Sequence, residues 1–213
     1  MESAAMSNAA RTNLGFILVV TGPSGAGKGT LVEHLLKQRP DCVFSVSATT
    51  RPRRATEADG REYFFLTQDD FLARAEQGFF LETAEVHGNL YGTPAKPMET
   101  ALADGHDILL DIDTQGAAQL HARYPEAVLV FIVAPSMREL EQRLRERRSD
   151  GEREIARRLA RAREEIAMWR RYDYLIVNRD VKEAIDQLEA IVQAERCRGS
   201  RLALNFPDLE VPN

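Results

Sequence analysis

A short run near the beginning of the sequence limits what this chain can fold into more than any other feature. Residues 15–36 read GFILVVTGPSGAGKGTLVEHLL, in which an apolar β-branched stretch leads into a loop of small residues and a helical pattern follows. The spacing Gly22-x-x-x-x-Gly27-Lys28 satisfies most of the phosphate-binding loop pattern, and the flanking strand and helix supply the context which that pattern requires. The alternative is a glycine-rich turn with only a structural role.

A loop of this kind binds phosphate for simple physical reasons. Glycines allow backbone N–H groups to converge on phosphate oxygens, and the helix N-terminus adds positive potential. A lysine side chain reaches the outer phosphates. The predicted phosphate-binding residues are Gly22, Pro23, Ser24, Gly25, Ala26, Gly27, Lys28, Gly29 and Thr30.

The residue after the lysine is unusual for such a loop. Serine or threonine commonly stands there and binds magnesium, whereas this chain has Gly29. Either Thr30 supplies a hydroxyl from the next position, or Mg²⁺ is held largely by nucleotide oxygens and water. Asp111 ends an apolar stretch, as does the aspartate that orients magnesium or its water in phosphate-loop enzymes. Among phosphate-loop proteins, the sequence GKGT is typical of nucleoside monophosphate kinases.

Strand-like and helix-like patterns alternate along most of the chain. This alternation predicts an α/β fold with three α/β/α layers and a parallel core sheet. The predicted strands are 16–21, 43–47, 108–112, 128–133 and 175–177, and the predicted helices are 31–38, 114–123, 138–147 and 153–171. In the last of these, Ile155, Leu159, Ala162, Ile166 and Trp169 recur at helical spacing and predict a buried stripe.

Two segments depart from the simple alternation. Residues 44–93 contain strand-like runs around a short helix with the capping box Thr67-x-x-Asp70, which predicts an inserted mixed-β subdomain. Residues 138–171 form an arginine-rich helical hairpin that predicts a mobile lid. The core is then expected at 14–43, 94–137 and 172–199, with a disordered tail at 1–13 and a further tail at 200–213.

The charge pattern bears on possible partners. The net charge of −5 argues against a general nucleic-acid or membrane-surface binder, since both partners are polyanionic. Residues 138–171 carry twelve arginines and eight acids, so this segment is +4 and the remainder is −9. A local anionic ligand is the expected partner of the lid.

No apolar run approaches the roughly 20 residues of a membrane span, and the first residues do not resemble a secretory signal, which favours a cytoplasmic protein. The sequence leaves open whether it is a monomer or a homo-oligomer.

A second cluster predicts an acceptor site. Arg51, Arg53 and Arg54 lie close together in the sequence, and Tyr63 follows. Arginine side chains bind phosphate oxygens through paired hydrogen bonds, and a phenolic hydroxyl adds a neutral donor. Taken alone, the cluster could also be a solvated basic turn.

The ordered set of motifs closely resembles guanylate kinase. It comprises GPSGAGKGTL, FSVSATTRPRR, GREYFF, FLETAEVHGNLYGTP, ILLDIDTQGA, RLRERRSDGEREIARRL and YDYLIVN. The resemblance extends over residues 16–196, and the acceptor motifs are specific to this family among nucleotide kinases. One departure is the lid sequence SDGERE, where Arg153 replaces an acid and makes the lid more basic.

The resemblance implies roles for individual residues. Around the guanine it implies Ser47, Glu82, Thr93 and Asp113, and around the GMP phosphate it implies Arg51, Arg54, Tyr63 and Tyr91. Over the ATP phosphates it implies Arg143, Arg147 and Arg158, with Asn178 near the adenine. Guanine presents N–H donors at N1 and N2, which a carboxylate can accept together, so Glu82 is the expected discriminator against adenine. Lys28, Arg51 and the three lid arginines are the expected catalytic residues.

The implied activity is Mg²⁺-dependent phosphate transfer from ATP to GMP, with dGMP as a further expected acceptor. Three other functions are alternatives to this activity. A guanylate-kinase-like protein-binding module would typically have a degraded phosphate loop or degraded lid arginines, whereas both are intact here. A kinase for another small phosphate ester would leave the base-reading groups unpaired. A nucleic-acid kinase is disfavoured by the overall acidity.

Overall fold

The computed structural model describes residues 11–13, 15–86, 88–146 and 151–204. The strands in this part are β1 (Arg11–Asn13), β2 (Ile17–Thr21), β3 (Cys42–Phe44), β4 (Ala48–Thr49), β5 (Phe64–Phe65), β6 (Phe80–Val86), β7 (Asn89–Pro94), β8 (Asp107–Asp111), β9 (Val128–Val133), β10 (Tyr174–Val177) and β11 (Leu202–Leu204). The helices are α1 (Lys28–Gln38), α2 (Gln68–Glu76), α3 (Ala95–Ala103), α4 (Thr114–Arg123), α5 (Met137–Glu146), α6 (Glu152–Ala167) and α7 (Val181–Arg196). No helix in this described part is both long enough and apolar enough to cross a bilayer.

The core is a five-stranded parallel sheet in the order β10-β9-β2-β8-β3. Every residue of β2 and β9 is buried, which explains their continuous apolar sequences, because a parallel sheet is covered on both faces. Side chains of α1 and α7 pack on one face, including Leu31, Leu35 and Leu188. Those of α3 and α4 pack on the other, including Met98 and Leu120. The predicted three-layer α/β/α fold with a parallel core is confirmed.

A separate mixed sheet lies within the predicted insertion. Its strand order is β5-β4-β7-β6, with β4 parallel to β5 and antiparallel to β7. Helix α2 packs on this sheet through Phe71, whose ring stacks on that of Phe80 at 4.5 Å between centroids. The capping box forms as expected, since Thr67 Oγ1 accepts from the backbone N–H of Asp70 at 3.1 Å. The mixed sheet forms one side of the cavity described below.

The arginine-rich segment forms α5 and α6. Ser136 caps α5, its hydroxyl accepting from the N–H of Glu139 at 3.1 Å. On α6, Ile155 and Ala162 are buried as predicted, but Trp169 is 37% exposed. The prediction fails at Trp169 because α6 ends at Ala167 and a short 3₁₀ turn, Trp169–Arg171, changes the direction of the chain.

The outermost described segments pair with each other. Strand β1 is antiparallel to β11, with Arg11 opposite Leu204 and Asn13 opposite Leu202. Residues 11–13 fall within the segment 1–13 expected to be a disordered tail, and residues 202–204 fall within the tail expected at 200–213. Just before β11, Arg201 is buried and forms an ion pair with Glu195, and its guanidinium lies over the ring of Phe16 at 4.7 Å.

Candidate active site

A cavity of about 460 Å³ lies between the phosphate loop, the mixed sheet and α6. The carboxyl ends of β2 and β8 point toward it, which is where open α/β sheets bind ligands. The lining residues are Gly22, Ser24, Gly25, Gly27, Lys28, Gly29, Ser47, Arg51, Arg54, Glu57, Tyr63, Val86, Asn89, Tyr91, Asp111, Ile112, Asp113, Arg158, Arg161 and Glu165. The structure therefore brings most of the predicted donor and acceptor residues to one space.

The phosphate loop connects β2 to α1. Gly27 adopts φ of +95°, and a Cβ added there would lie 2.2 Å from Nδ2 of Asn178, so only glycine fits. Lys28 folds over the loop, and its Nζ donates to the carbonyl oxygen of Gly22 at 2.6 Å. Helix α1 begins at Lys28 with its N-terminus at the cavity. This geometry presents backbone N–H groups and an ammonium group to an anion.

Helix α6 contacts the loop through Arg158. Its Nη1 donates to Oγ of Ser24 at 2.8 Å, and its Nε donates to Glu154 at 3.1 Å. Arg158 thus brings positive charge to the phosphate loop from outside the core. The expected role of Arg158 at the donor phosphates stays a prediction.

The arginine cluster on the acceptor side includes an ordered member. Arg51 forms a two-point ion pair with Glu57, with Nη2 to Oε1 at 2.7 Å and Nη1 to Oε2 at 3.0 Å. This pairing lowers the pKa of Glu57. The Arg51 guanidinium also lies over the ring of Tyr63 at 5.4 Å, while the side chain of Arg54 is 62% exposed.

Two tyrosines complete this side of the cavity. The rings of Tyr63 and Tyr91 meet edge to face, with centroids 5.9 Å apart. Burial raises the pKa of the Tyr63 hydroxyl to about 12, so the group remains a neutral hydrogen-bond donor at physiological pH. Both residues line the cavity, and their expected role as neutral phosphate ligands stays a prediction.

The predicted base-reading groups lie deeper. Glu82 is 5% exposed and its Oε1 accepts from the hydroxyl of Thr93 at 2.7 Å, and neither residue lines the cavity wall. Burial raises the pKa of Glu82 to about 7, the charge of Asp113 adds to this shift, and the bond from Thr93 opposes it. Asp113 caps α4 by accepting from the N–H of Gly116 at 2.9 Å. Ser47 and Asp113 line the cavity.

Some predicted donor-side residues among those described do not line the cavity: Arg143, Asn178 and, in the loop, Pro23, Ala26 and Thr30. Arg143 pairs with Glu139 at 3.0 Å and donates to the carbonyl oxygen of Asn178 at 3.0 Å. Asn178 is 1% exposed, and its Nδ2 donates to the carbonyl oxygen of Ala26 at 2.8 Å. In this arrangement Asn178 supports the phosphate loop from behind. Arg147 lies outside the described residues.

The candidate metal ligands are reduced to one carboxylate. Thr30 is exposed and does not line the cavity, whereas Asp111 does. Burial raises the pKa of Asp111, and the charge of Lys28 opposes the shift. Within the described residues no three His, Cys, Asp or Glu side chains form a metal-binding group. This ligand set fits Mg²⁺, which typically retains several waters and binds one or two carboxylates together with substrate phosphates.

Three charged residues line the cavity without having been predicted from the sequence: Glu57, Arg161 and Glu165. Glu57 lies six residues after the arginine it pairs with, in a turn with no periodic pattern. Arg161 and Glu165 lie on α6 among many other charged residues, and Glu165 is buried at a position where the helical stripe predicted none. The position of Glu165 three residues after Ala162, at the edge of the apolar stripe, is the signal that could have indicated its burial.

The fold and cavity together define a class of protein. A phosphate loop at the end of a parallel sheet, an acceptor subdomain on the far side of the cavity and an arginine-bearing helix over the loop characterise nucleoside monophosphate kinases. The family model described as guanylate kinase matches residues 15–195. This match covers most of the chain, and the chain belongs to the guanylate kinase family.

Individual relatives agree with this assignment. The chain is 49% identical to the guanylate kinase of Cereibacter sphaeroides over 189 residues, which covers 88% of this chain and 90% of that protein. It is 48% identical to the guanylate kinase of Rhizobium meliloti over 202 residues, covering 94% and 92%. The crystal structure of guanylate kinase from Anaplasma phagocytophilum superposes with a TM-score of 0.77 at 36% identity, covering 90% of this chain and 91% of that one.

Proposed function

We propose that this chain catalyses the Mg²⁺-dependent transfer of the γ-phosphate of ATP to GMP, giving ADP and GDP. The observation that carries the proposal is the shared cavity, in which the phosphate loop and the arginine–tyrosine acceptor side face one space. Family membership and the close relatives named guanylate kinase support it. The chemistry needs no side-chain nucleophile, because a phosphate oxygen of GMP attacks the γ-phosphorus while its bond to the ADP oxygen breaks.

On the donor side, we assign the triphosphate to the loop from Gly22 to Thr30. Lys28 binds the outer phosphates, and Arg158 adds charge from α6. Such charge-stabilising groups contribute by neutralising the negative charge that spreads over the transferring group. Arg143 and Arg147 retain their proposed lid roles, which require Arg143 to leave its contacts with Glu139 and Asn178 when the lid closes.

On the acceptor side, we assign the GMP phosphate to Arg51, Arg54, Tyr63 and Tyr91. The guanine is assigned to Ser47, Glu82, Thr93 and Asp113, with the Ser47 hydroxyl serving the O6 acceptor. Glu82 and Thr93 are buried in this arrangement. The proposal therefore includes a movement of the 44–93 subdomain that first lets the guanine reach these two side chains. We propose that this subdomain and the 138–171 hairpin both close around the substrates, which also excludes water as a competing acceptor.

Mg²⁺ is the proposed cofactor, with Asp111 as its protein contact, directly or through water. When bound it supplies neutralisation of the phosphate charges. We further propose a cytoplasmic role in purine nucleotide metabolism and GMP recycling, with dGMP as a second acceptor and with no nucleic-acid or membrane partner.

The proposal is tested by ADP production from ATP and Mg²⁺ in a coupled spectrophotometric assay. GMP, AMP, CMP, UMP and no acceptor are compared, and turnover is expected with GMP alone. If a folded protein that binds GMP by calorimetry gave no ADP with any acceptor, the non-catalytic protein-binding module would be the better reading.

A further inference from the structure

Helix α6 carries a second arginine that faces the cavity, in addition to Arg158. Arg161 donates from Nη2 to Oδ2 of Asp113 at 2.8 Å and from Nε to Oε1 of Glu165 at 2.9 Å. Neither the phosphate-loop pattern nor the family motifs drew attention to this residue. Its side chain is 25% exposed and lines the cavity, so it can respond to what binds there.

The partner of Arg161 belongs to a close pair of acids. A Cβ added to Gly116 would lie 2.6 Å from Oε2 of Glu82 and 3.5 Å from Oδ1 of Asp113. The carboxylates of Glu82 and Asp113 therefore both lie beside Gly116, which has no side chain to separate them. Two ionised carboxylates at such close approach repel each other, most strongly where water is excluded.

Arg161 is placed to offset this repulsion. It forms an ion pair with Asp113 on one side, and the 8% exposed carboxylate of Glu165 holds its Nε on the other. The two ion pairs thereby fix the orientation of the guanidinium. Oδ2 of Asp113 accepts from Arg161 and also from Nε2 of Gln115 at 3.3 Å, whereas Oδ1 accepts, among the described residues, only from the N–H of Gly116, so the remaining lone pair for a ligand is on Oδ1.

Guanine needs two acceptors at this position. Its N1–H and one hydrogen of its 2-amino group can both reach Glu82, which leaves the second amino hydrogen for another acceptor. We propose that Arg161 is a specificity-determining positioning residue, which holds Asp113 beside Glu82 through Oδ2 so that Oδ1 accepts this second hydrogen. The inference rests on the proposed function and extends it to recognition of the 2-amino group.

The test compares GMP with inosine monophosphate, which lacks only the 2-amino group. Arg161→Ala should lower kcat/KM for GMP by about tenfold, the equivalent of one hydrogen bond to a charged acceptor. The inhibition constant of inosine monophosphate against GMP phosphorylation should change little, so the preference for GMP narrows. Arg163→Ala is the matched control, because Arg163 is exposed on the same helix.

A second variant separates recognition from general damage. Arg161→Lys keeps the positive charge and should recover part of the preference for GMP. Equal weakening of both nucleotides by Arg161→Ala, an unchanged preference in that variant, or no recovery at all in Arg161→Lys would overturn the inference. Absence of GMP phosphorylation in the unaltered protein would instead count against the proposed function, so the two failures are distinguishable.

Discussion

The carboxylate of Glu57 holds the guanidinium of Arg51 through two hydrogen bonds, of 2.7 and 3.0 Å. Together with a bond from Nη1 to the carbonyl oxygen of Pro52, these contacts occupy both hydrogens of Nη1 and one of Nη2. A side-chain hydrogen bond with Tyr91 further engages the guanidinium, which leaves fewer of its five N–H donors for a phosphate. The ion pair thus orients Arg51 for an anion in the cavity and leaves part of its fork available.

Glu57→Ala should therefore weaken acceptor binding more than it slows chemistry. We expect KM for GMP to rise about tenfold with a smaller change in kcat, because Arg51 loses its fixed orientation while keeping its charge. Initial rates over a range of GMP concentrations measure this. Glu76→Ala, on the exposed side of α2, is the control. A lower KM for GMP in Glu57→Ala would mean instead that Glu57 competes with the phosphate for Arg51.

Lys28→Ala should abolish turnover while GMP binding is largely kept. Lys28 reaches the loop carbonyls of the donor site and has no contact with the acceptor residues. The expected loss in kcat is about 1,000-fold, comparable to removal of one charge-stabilising group at a reacting centre. Calorimetric titration with GMP checks that the acceptor site is intact, and Lys37→Ala on the exposed side of α1 is the control. Normal turnover in Lys28→Ala would refute the role of the loop.

Glu82→Gln should raise the GMP requirement steeply while ATP binding stays near normal. An amide offers one acceptor atom where the carboxylate offers two, and its NH₂ group would face an N–H donor of guanine. We expect KM for GMP to rise by about a hundredfold. KM values for both substrates are measured with Glu85→Gln, exposed on the same strand, as the control. Unchanged use of GMP would show that the base is read elsewhere.

The same substitution should alter how stability depends on pH. The pKa of Glu82 rises from 4.5 to about 7 on folding, so the folded protein holds this proton more tightly than the unfolded chain. Ionised Glu82 therefore lowers the free energy of unfolding above about pH 7, and this cost fades as the pH falls toward 4.5. Glu82→Gln should raise the free energy of unfolding at about pH 8 by at most about 3 kcal/mol, and with it the melting temperature. The increase should be much smaller at about pH 5. Thermal melts of both proteins at the two pH values measure the difference. An equal shift at both would contradict the assignment.

Asn178→Ala should impair all nucleotide donors alike. Its amide supports the phosphate loop through Ala26 and lies against Gly27, and it does not line the cavity. We expect kcat/KM to fall about tenfold with ATP and by the same factor with GTP as donor. If the ATP:GTP ratio changed, Asn178 would read the adenine, as the family resemblance implied.

The parallel core could be predicted because its signals are local. The buried strand β9 is found at the predicted residues, and α4 likewise, since continuous apolar runs and helical spacing are written directly in the sequence. The capping residues Thr67, Asp113 and Ser136 were also predictable, because a cap acts on N–H groups a few residues away. Helix α1, by contrast, begins at Lys28, before its first apolar residue, because the loop glycines place the helix start at the phosphate site.

The candidate site was predictable as a set of residues but not as a network. The motifs indicated Lys28 and Arg51, yet the ion pairs of Arg51 with Glu57 and of Arg161 with Asp113 depend on which of many charged side chains meet in space. Nor could the pattern show that Asn178 faces the back of the loop, since that depends on β10 ending next to Ala26. The pairing of β1 with β11 escaped prediction for the same reason: each segment is short, and they are far apart in sequence.

The pairing of β1 with β11 brings two segments that are far apart in the sequence into adjacent strands. Because Arg11 lies opposite Leu204, a short peptide could join these positions without reshaping the sheet between them. New ends could then be opened at the exposed turn around Gly78, where an added Cβ meets nothing within 4 Å. A circularly permuted chain of this kind would carry its break within the acceptor subdomain, between α2 and β6, which would let labels or fusion partners report directly on that subdomain's movement.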